Sequence, residues 1–305
     1  MSETYMGFVG VSTGSSSIMR VFPKWAEILE LPTRTLIGHD VAIDSDPQVY
    51  RDLVASIHAD PNHHGALVTT HKIAVREAAG DLFDELDDLA STFGEISSIA
   101  KRGTKLTGAA KDPVTVRLGL EEFLSPTHFA DTGAAALILG SGGSGSALSY
   151  QLGVREDAPS EVICLARTQK RLDHQRELHE KAGIDNGLYR YVVSAGTDDV
   201  DALLTELPAH SLVVNATGMG KDRPGSPVGE HGLFPEQAVV WEFNYRGSLE
   251  FLQQARAQQE ARGLIVEDGW RYFVHGWSQV IADVFDIAMP QETVDTLARA
   301  AAEVR

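Results

Sequence analysis

The sequence predicts an α/β fold in two domains, and three observations carry that reading. Its 305 residues exceed the usual size of a single hydrophobic core. Short apolar runs alternate with amphipathic stretches along the chain, as strands joined by helices do. The alternation changes character at Asp112, beyond which the runs are apolar throughout and a glycine-rich turn follows the first of them. Strands covered by helices on both faces make a doubly wound parallel sheet.

Before Asp112, residues 5–11, 34–43 and 65–70 read as strands, and 48–58 and 73–93 as helices, with Pro32 and Pro61 as punctuation. Residues 95–101 and 105–110 read as a hairpin around Arg102-Gly103-Thr104. After Asp112 come a helix over 113–124 and a loop with Pro126, followed by the apolar run at 135–139. Further strands are expected at 162–166, 189–193, 211–216, 238–243 and 263–266, with helices at 171–182, 200–206 and 249–262. Two more helices, 273–288 and 293–304, close the chain.

Composition narrows the function classes. With 26 basic against 43 acidic residues the formal net charge is −17, which argues against nucleic acid or an acidic membrane as the main partner. The single cysteine, Cys164, excludes an internal disulfide and a cysteine-rich zinc site, and its place in an apolar run marks it as a buried structural thiol. No basic leader with an apolar core and no apolar run of ~18 residues is found, so a cytoplasmic protein is expected.

The apolar run ending at Leu139 leads into Gly140-Ser141-Gly142-Gly143-Ser144-Gly145, which fits G-x-G-x-x-G. A strand, a tight turn and a helix start gather backbone N–H groups and a helix dipole around a phosphate, so the run points to a dinucleotide. In the NAD version an acid stands about 20 residues further on and binds the ribose hydroxyl. Here that place holds Ala166-Arg167-Thr168, followed by Gln169-Lys170-Arg171. Cations in place of an acid suit a 2′-phosphate, with Arg167 foremost and Lys170 and Arg171 either sharing the grip or simply solvated. NADP(H) is the expected cofactor.

Oxidising a secondary alcohol needs a hydride acceptor and a side chain that takes the hydroxyl proton. Lys72 follows an apolar strand, and Asp112 stands where the two halves join, where it also suits a helix N-cap before Pro113. His71 and the pair His63-His64 lack a carboxylate or cysteine at ligand spacing, so no metal is expected. Tyr245 and Trp270 read equally as pocket walls or core, Ser12 and Thr13 as a polar loop, and Asn215 as a cofactor ligand or a strand cap.

With these residues in place, the chain resembles the shikimate dehydrogenase family over nearly its full length. Ser15 and Ser17 match the family's carboxylate-binding S-x-S-P loop, with Ile18 for the proline. Gly65-Ala66-Leu67-Val68-Thr69-Thr70-His71-Lys72 resembles G-x-N-V-T-x-P-x-K, one residue shorter. Gly94-Glu95-Ile96-Ser97-Ser98 stands for G-A-x-N-T, and Gly108-Ala109-Ala110-Lys111-Asp112 for G-x-N-T-D. Arg167-Thr168 resembles part of N-R-T, Asn215-Ala216-Thr217-Gly218-Met219 resembles N-A-T-x-x-G-M, and Gly269 and Gln279 resemble a returning C-terminal segment.

The resemblance implies a substrate-binding catalytic domain over 1–112, completed by 273–305, and a Rossmann-type NADP-binding domain over 113–272. It implies that Lys72 and Asp112 form the polar pair on the reacting hydroxyl, Lys72 being the stronger candidate for proton transfer. Ser15, Ser17, Thr69, Ser97 and Gln279 would bind substrate. Gly140, Gly142, Gly143, Ser144, Gly145, Arg167, Thr168, Arg171, Asn215, Thr217, Gly218 and Met219 would bind cofactor. A small-molecule substrate, a monomer or homodimer, and a place in aromatic amino acid biosynthesis or quinate metabolism go with it.

Two family asparagines are replaced, by Ser97 and Ala110. Each lost partner of a buried substrate hydroxyl costs roughly 1 to 3 kcal/mol. The expected substrate is therefore a relative of shikimate, such as quinate, an aminoshikimate or another cyclitol acid. Lys111 adds a charge for an acidic substrate group or for water. Two other readings stand beside this one: a methylenetetrahydrofolate-type dehydrogenase, with a similar plan and a catalytic lysine, and a non-catalytic NADP-binding regulator. Hydride transfer to a cyclic hydroxy acid's partner cofactor separates them.

Overall fold

The computed structural model describes residues 3–194, 196–221 and 223–303. In chain order it runs β1 (Tyr5–Gly10), α1 (Ile18–Ile28), β2 (Leu36–Asp40), α2 (Pro47–Ala59), β3 (His63–Val68), α3 (Lys72–Ala79), β4 (Glu85–Leu86), α4 (Asp88–Phe93), β5 (Ser98–Arg102) and β6 (Lys105–Ala109). It continues through α5 (Asp112–Glu121), α6 (His128–Thr132), β7 (Ala136–Leu139), α7 (Gly143–Val154), β8 (Val162–Ala166), α8 (Gln169–Lys181), β9 (Tyr189–Val193) and α9 (Thr197–Glu206). The remainder is β10 (Leu212–Asn215), β11 (Val239–Glu242), α10 (Glu250–Arg262), β12 (Ile265–Glu267), α11 (Trp270–Phe285) and α12 (Gln291–Ala302). The chain divides into two units, one made of the residues up to Lys111 with those from Val274 onward, the other of Asp112–Phe273. Among the described residues no helix is long and apolar enough to cross a membrane.

The first unit is a mixed six-stranded sheet in the order β2-β1-β3-β5-β6-β4. β1 runs parallel to β2 and β3, while β5 is antiparallel to both β3 and β6. Alternate residues face opposite sides of a strand. Val9, Ala66 and Val68 therefore meet Val54 and Ile57 of α2 and Val75 and Ala79 of α3 in one core. On β1 the neighbouring Phe8 takes the ring of Trp277 in α11 edge-on, centroids 4.9 Å apart. Trp25 Nε1 in α1 donates to the Leu297 carbonyl in α12 at 2.9 Å. The C-terminal helices thus complete the first unit, as expected.

In the second unit all six strands are parallel, in the order β12-β11-β10-β7-β8-β9. The chain leaves β7 toward β8 and β9, then returns to β10 on the other side, so the strand order reverses between β7 and β10. The gap at the carboxyl ends of those two strands is where such sheets bind ligands. Gly140 occupies it with φ +107°. A Cβ on Gly145 would stand 1.9 Å from the Gly140 carbonyl oxygen, so only glycine lets α7 close on the turn.

Three departures from the sequence reading have local causes. The helix expected over 73–93 is broken into α3, a 3₁₀ turn (Gly80–Leu82), β4 and α4. Gly80 ends α3, and the Asp87 carboxylate starts α4 by accepting from Ala90 N at 2.6 Å. α1 has no counterpart in the sequence reading, and Pro23 sits inside it. Its buried Ile18, Val21, Phe22, Trp25 and Ala26 nevertheless keep helical spacing. α6 lies in the expected loop, with Asp157 accepting from Phe129 N and Ala130 N at 3.0 and 2.7 Å. Val304, the expected end of the last helix, lies outside the described residues.

Two predictions follow from packing and charge. Gly145→Ala should destabilise the second unit by about 1–3 kcal/mol in urea unfolding. Gly142→Ala should stay within about 0.5 kcal/mol of wild type, because the nearest atom to its added Cβ is 4.0 Å away. In the first unit, His63 is 3% exposed and its Nδ1 accepts from Gly65 N at 3.1 Å. Burial first, then the His39 and Lys101 charges, lower its pKa from 6.5 to about 4. The unfolded chain takes up a proton before the folded one does, so stability falls with pH between those two values. The loss is up to ~3 kcal/mol, and His63→Asn should remove it from the pH dependence of urea unfolding.

Candidate active site

In the first unit, β1, β2, β3 and β6 end at one edge of the sheet, and antiparallel β5 begins there. The residues assigned to substrate leave from that edge. Beyond β1, Thr13 is buried, and its N and Oγ1 donate to the carboxylate of Asp40 at the end of β2, at 2.8 and 2.6 Å. Those two bonds hold the Asp40 carboxyl below the usual carboxylate range. Ser15 is exposed and its hydroxyl donates back to the Ser12 carbonyl at 3.0 Å. Ser17 directly precedes α1 and makes no side-chain cap bond there.

Beyond β3, Thr69 ties the strand end to β1, its N and Oγ1 both donating to the Val9 carbonyl at 3.0 and 3.2 Å. His71 is a satisfied core histidine between the Tyr50 hydroxyl (3.1 Å) and the Val41 carbonyl (2.9 Å). Lys72 opens α3, half-buried, and its carbonyl accepts from Ile96 N at 3.0 Å. Ser97 is 2% exposed; its hydroxyl accepts from Lys111 N at 2.7 Å and donates to the Ala109 carbonyl at 3.3 Å. It fixes the turn after β6, where Ala110 is fully buried. Lys111 Nζ stands 3.5 Å from Asp283. Gln279 is half-buried in α11, two residues beyond Trp277. Lys72 belongs to the first unit, and Asp112 opens α5 and the second.

The cofactor candidates gather at the carboxyl edge of the second sheet. Gly142 is the N-cap of α7, whose first residues are Gly143, Ser144 and Gly145. One strand over, β8 ends at Ala166, and Arg167, Thr168, Lys170 and Arg171 are all exposed. Arg171 Nη1 lies 4.0 Å from where a Gly142 Cβ would be, so this cation borders the glycine turn. Arg167, Lys170 and Arg171 have no acidic partner among the described residues, although the chain carries a net charge of −17. The backbone N–H groups, the helix start and unpaired cations fit a phosphorylated dinucleotide.

On the other side of β7, Asn215 ends β10 fully buried. Its Oδ1 accepts from Thr217 N and Oγ1 at 3.1 and 2.7 Å, and Met219 N donates to Thr217 Oγ1 at 3.1 Å. Asn215 therefore caps its strand and folds the Thr217-Gly218-Met219 loop at once. Tyr245 lies against Phe273 with centroids 4.4 Å apart, and Trp270 is buried beside them. Cys164 is fully buried, which pushes its thiol pKa up.

Three polar residues escaped the sequence reading. Asp40 lies inside the expected strand 34–43 and ends the observed β2, and Glu242 interrupts an apolar run that continues to Phe243, an anomaly the sequence displays plainly. Asn244, two residues beyond Glu242, carries no such signal.

No protein-family model matches the chain. The shikimate dehydrogenase (NADP(+)) of Symbiobacterium thermophilum is 29% identical over 265 residues, covering 86% of this chain and 84% of that protein. The quinate dehydrogenase of Corynebacterium glutamicum, solved in complex with NAD, shares the fold with a TM-score of 0.74 at 18% identity, covering 99% of each chain. The ligand-free 5-ketofructose reductase of a Gluconobacter species does so with a TM-score of 0.73 at 18% identity, again covering 99% of each. Over most of its length the chain is thus similar in sequence to a shikimate dehydrogenase, and it shares the fold of solved shikimate and quinate dehydrogenases.

Proposed function

We propose that the protein is an NADP(H)-dependent dehydrogenase that interconverts a secondary alcohol and a ketone on a hydroxylated cyclic carboxylic acid other than shikimate. The cofactor reading rests on the end of β8, where Arg167 and Arg171 stand without acidic partners beside the Gly140–Gly145 turn. Arg167, Thr168 and Arg171 hold the 2′-phosphate. Backbone N–H groups of Gly142, Gly143, Ser144 and Gly145 hold the pyrophosphate, and Asn215, Thr217, Gly218 and Met219 border the rest of the molecule. Bound there, a nicotinamide supplies the hydride acceptor.

Lys72 takes the hydroxyl proton as the carbinol is oxidised and returns it in the reverse direction, and Asp112 orients the same hydroxyl. Ser15 and Ser17 bind the carboxylate, with Thr69 and Gln279 on the ring. Ser97 already meets two backbone groups, which leaves its oxygen one lone pair for the substrate. Ala110 offers none. A site with fewer ring contacts suits a ring with a different hydroxyl pattern, quinate or an aminoshikimate among them. Proteins that share this fold include a quinate dehydrogenase and a 5-ketofructose reductase.

The test is nicotinamide absorbance with NADP+ against shikimate, quinate and other cyclitol acids. Lys72→Ala should lower turnover about 10²- to 10⁴-fold while NADPH binding persists. Arg167→Ala should weaken NADPH about tenfold or more and leave NADH nearly unchanged. Equal effects on the two cofactors would remove the 2′-phosphate role, and failure of the wild type to bind either would overturn the whole reading.

A further inference from the structure

Glu242 is a carboxylate that packing alone does not explain. It ends β11 after Val239, Val240 and Trp241, at 0% exposure. An apolar side chain there would avoid the cost of dehydrating a charge. Both of its oxygens are instead hydrogen-bonded: Oε2 accepts from Asn215 Nδ2 at 2.7 Å, and Oε1 from Asn244 N and Nδ2 at 2.8 and 2.6 Å.

Those bonds settle how both amides are turned. Because Asn215 presents its NH₂ to the carboxylate, its Oδ1 is left to accept from Thr217 N and Oγ1. The second N–H of each amide reaches one atom, the Met219 carbonyl, at 3.4 Å from Asn215 and 3.0 Å from Asn244. A side-chain amide can flip by half a turn at little intrinsic cost, so an acceptor-only neighbour is what selects the orientation that folds the loop.

We infer that Glu242 is the positioning residue of the 215–220 loop, its ionised carboxylate holding Asn215 and Asn244 in the one orientation that shapes this segment for the cofactor. The cofactor part rests on the function proposed above; the ordering of the loop does not. The ionised form suits the site because all three neighbours on Glu242 are N–H donors, and protonation weakens one oxygen as an acceptor and adds a donor among them. Burial opposes ionisation, and the charge of Asp268 beyond β12 adds to it, so the carboxyl is raised from 4.5 to about 7 in spite of its three hydrogen bonds. Around it, β10 contributes Asn215, the segment after β11 contributes Asn244, and the segment after β12 contributes Asp268.

Two effects of acid then have opposite signs. The folded protein takes up this proton more readily than the unfolded chain, so Glu242 adds global stability as pH falls from about 7 toward 4.5. The loop loosens over the same range. Amide hydrogen exchange of the ligand-free protein, corrected for intrinsic rates, reads both. In wild type, protection of residues 216–220 should fall about tenfold across that range while α9, which carries no histidine, keeps its protection. In Glu242→Gln the loop should be poorly protected and independent of pH, with NADPH bound about tenfold more weakly. Loop protection in wild type that does not follow pH, or a Glu242→Gln loop protected as in wild type, overturns the inference. Should that variant fail to fold, the wild-type profile decides alone. Wild type that binds no NADPH removes the cofactor role, and the exchange data still decide the ordering.

Discussion

A parallel strand covered on both faces has its backbone groups paired along its length, so polar chemistry can emerge only at its tip. The second sheet of this protein obeys that constraint. β7, β8, β10 and β11 are wholly buried, and each ends in a segment that carries polar side chains: the glycine turn, Arg167, Asn215 with its loop, and Glu242. In the first unit the tips of β1, β2, β3 and β6 release the serine loop, Asp40, Thr69 with Lys72, and the turn to Asp112. The arrangement of candidate residues is a property of strand direction before it is a property of any one side chain.

That is why so much of the fold was legible. β8 falls on the apolar run that announces it, 162–166, because a buried strand admits little else, and β9 falls on 189–193 although it is a half-buried edge strand. The glycine turn was legible because close contact between α7 and the Gly140 carbonyl excludes any side chain. Other elements depend on contacts that periodicity does not encode. The break after α3 follows from Gly80 and from Asp87 capping a new helix, both inside a run whose apolar spacing reads as continuous. α1 tolerates Pro23 because its apolar face is buried, and Trp25 ties it to α12 across 272 positions of sequence.

The site was legible in its residue types and less so in what each hydroxyl does. The resemblance implies that Ser97 is a substrate contact, yet its proton and one of its two lone pairs serve the turn it stabilises. Thr13 reads as part of a polar loop, yet it is buried against Asp40. A hydroxyl has one proton and two lone pairs, and whether backbone or ligand uses them is decided by neighbours distant in sequence. Glu242 shows the reverse case. A lone acid in an apolar strand is conspicuous in the sequence, but the two amides that give it purpose come from the ends of two strands.

The bonds between Thr13 and Asp40 tie the serine loop to the tip of β2. Asp40 is the last residue of β2, an edge strand of five residues that pairs only with β1 and leaves Ile37 exposed. Edge strands open at lower free energy than the strands they flank. Each time the end of β2 frays, the anchor of the loop goes with it, while Lys72 stays on α3 behind the central strand β3. The serine loop is thereby fastened to an edge strand of its sheet, and the lysine follows a central one.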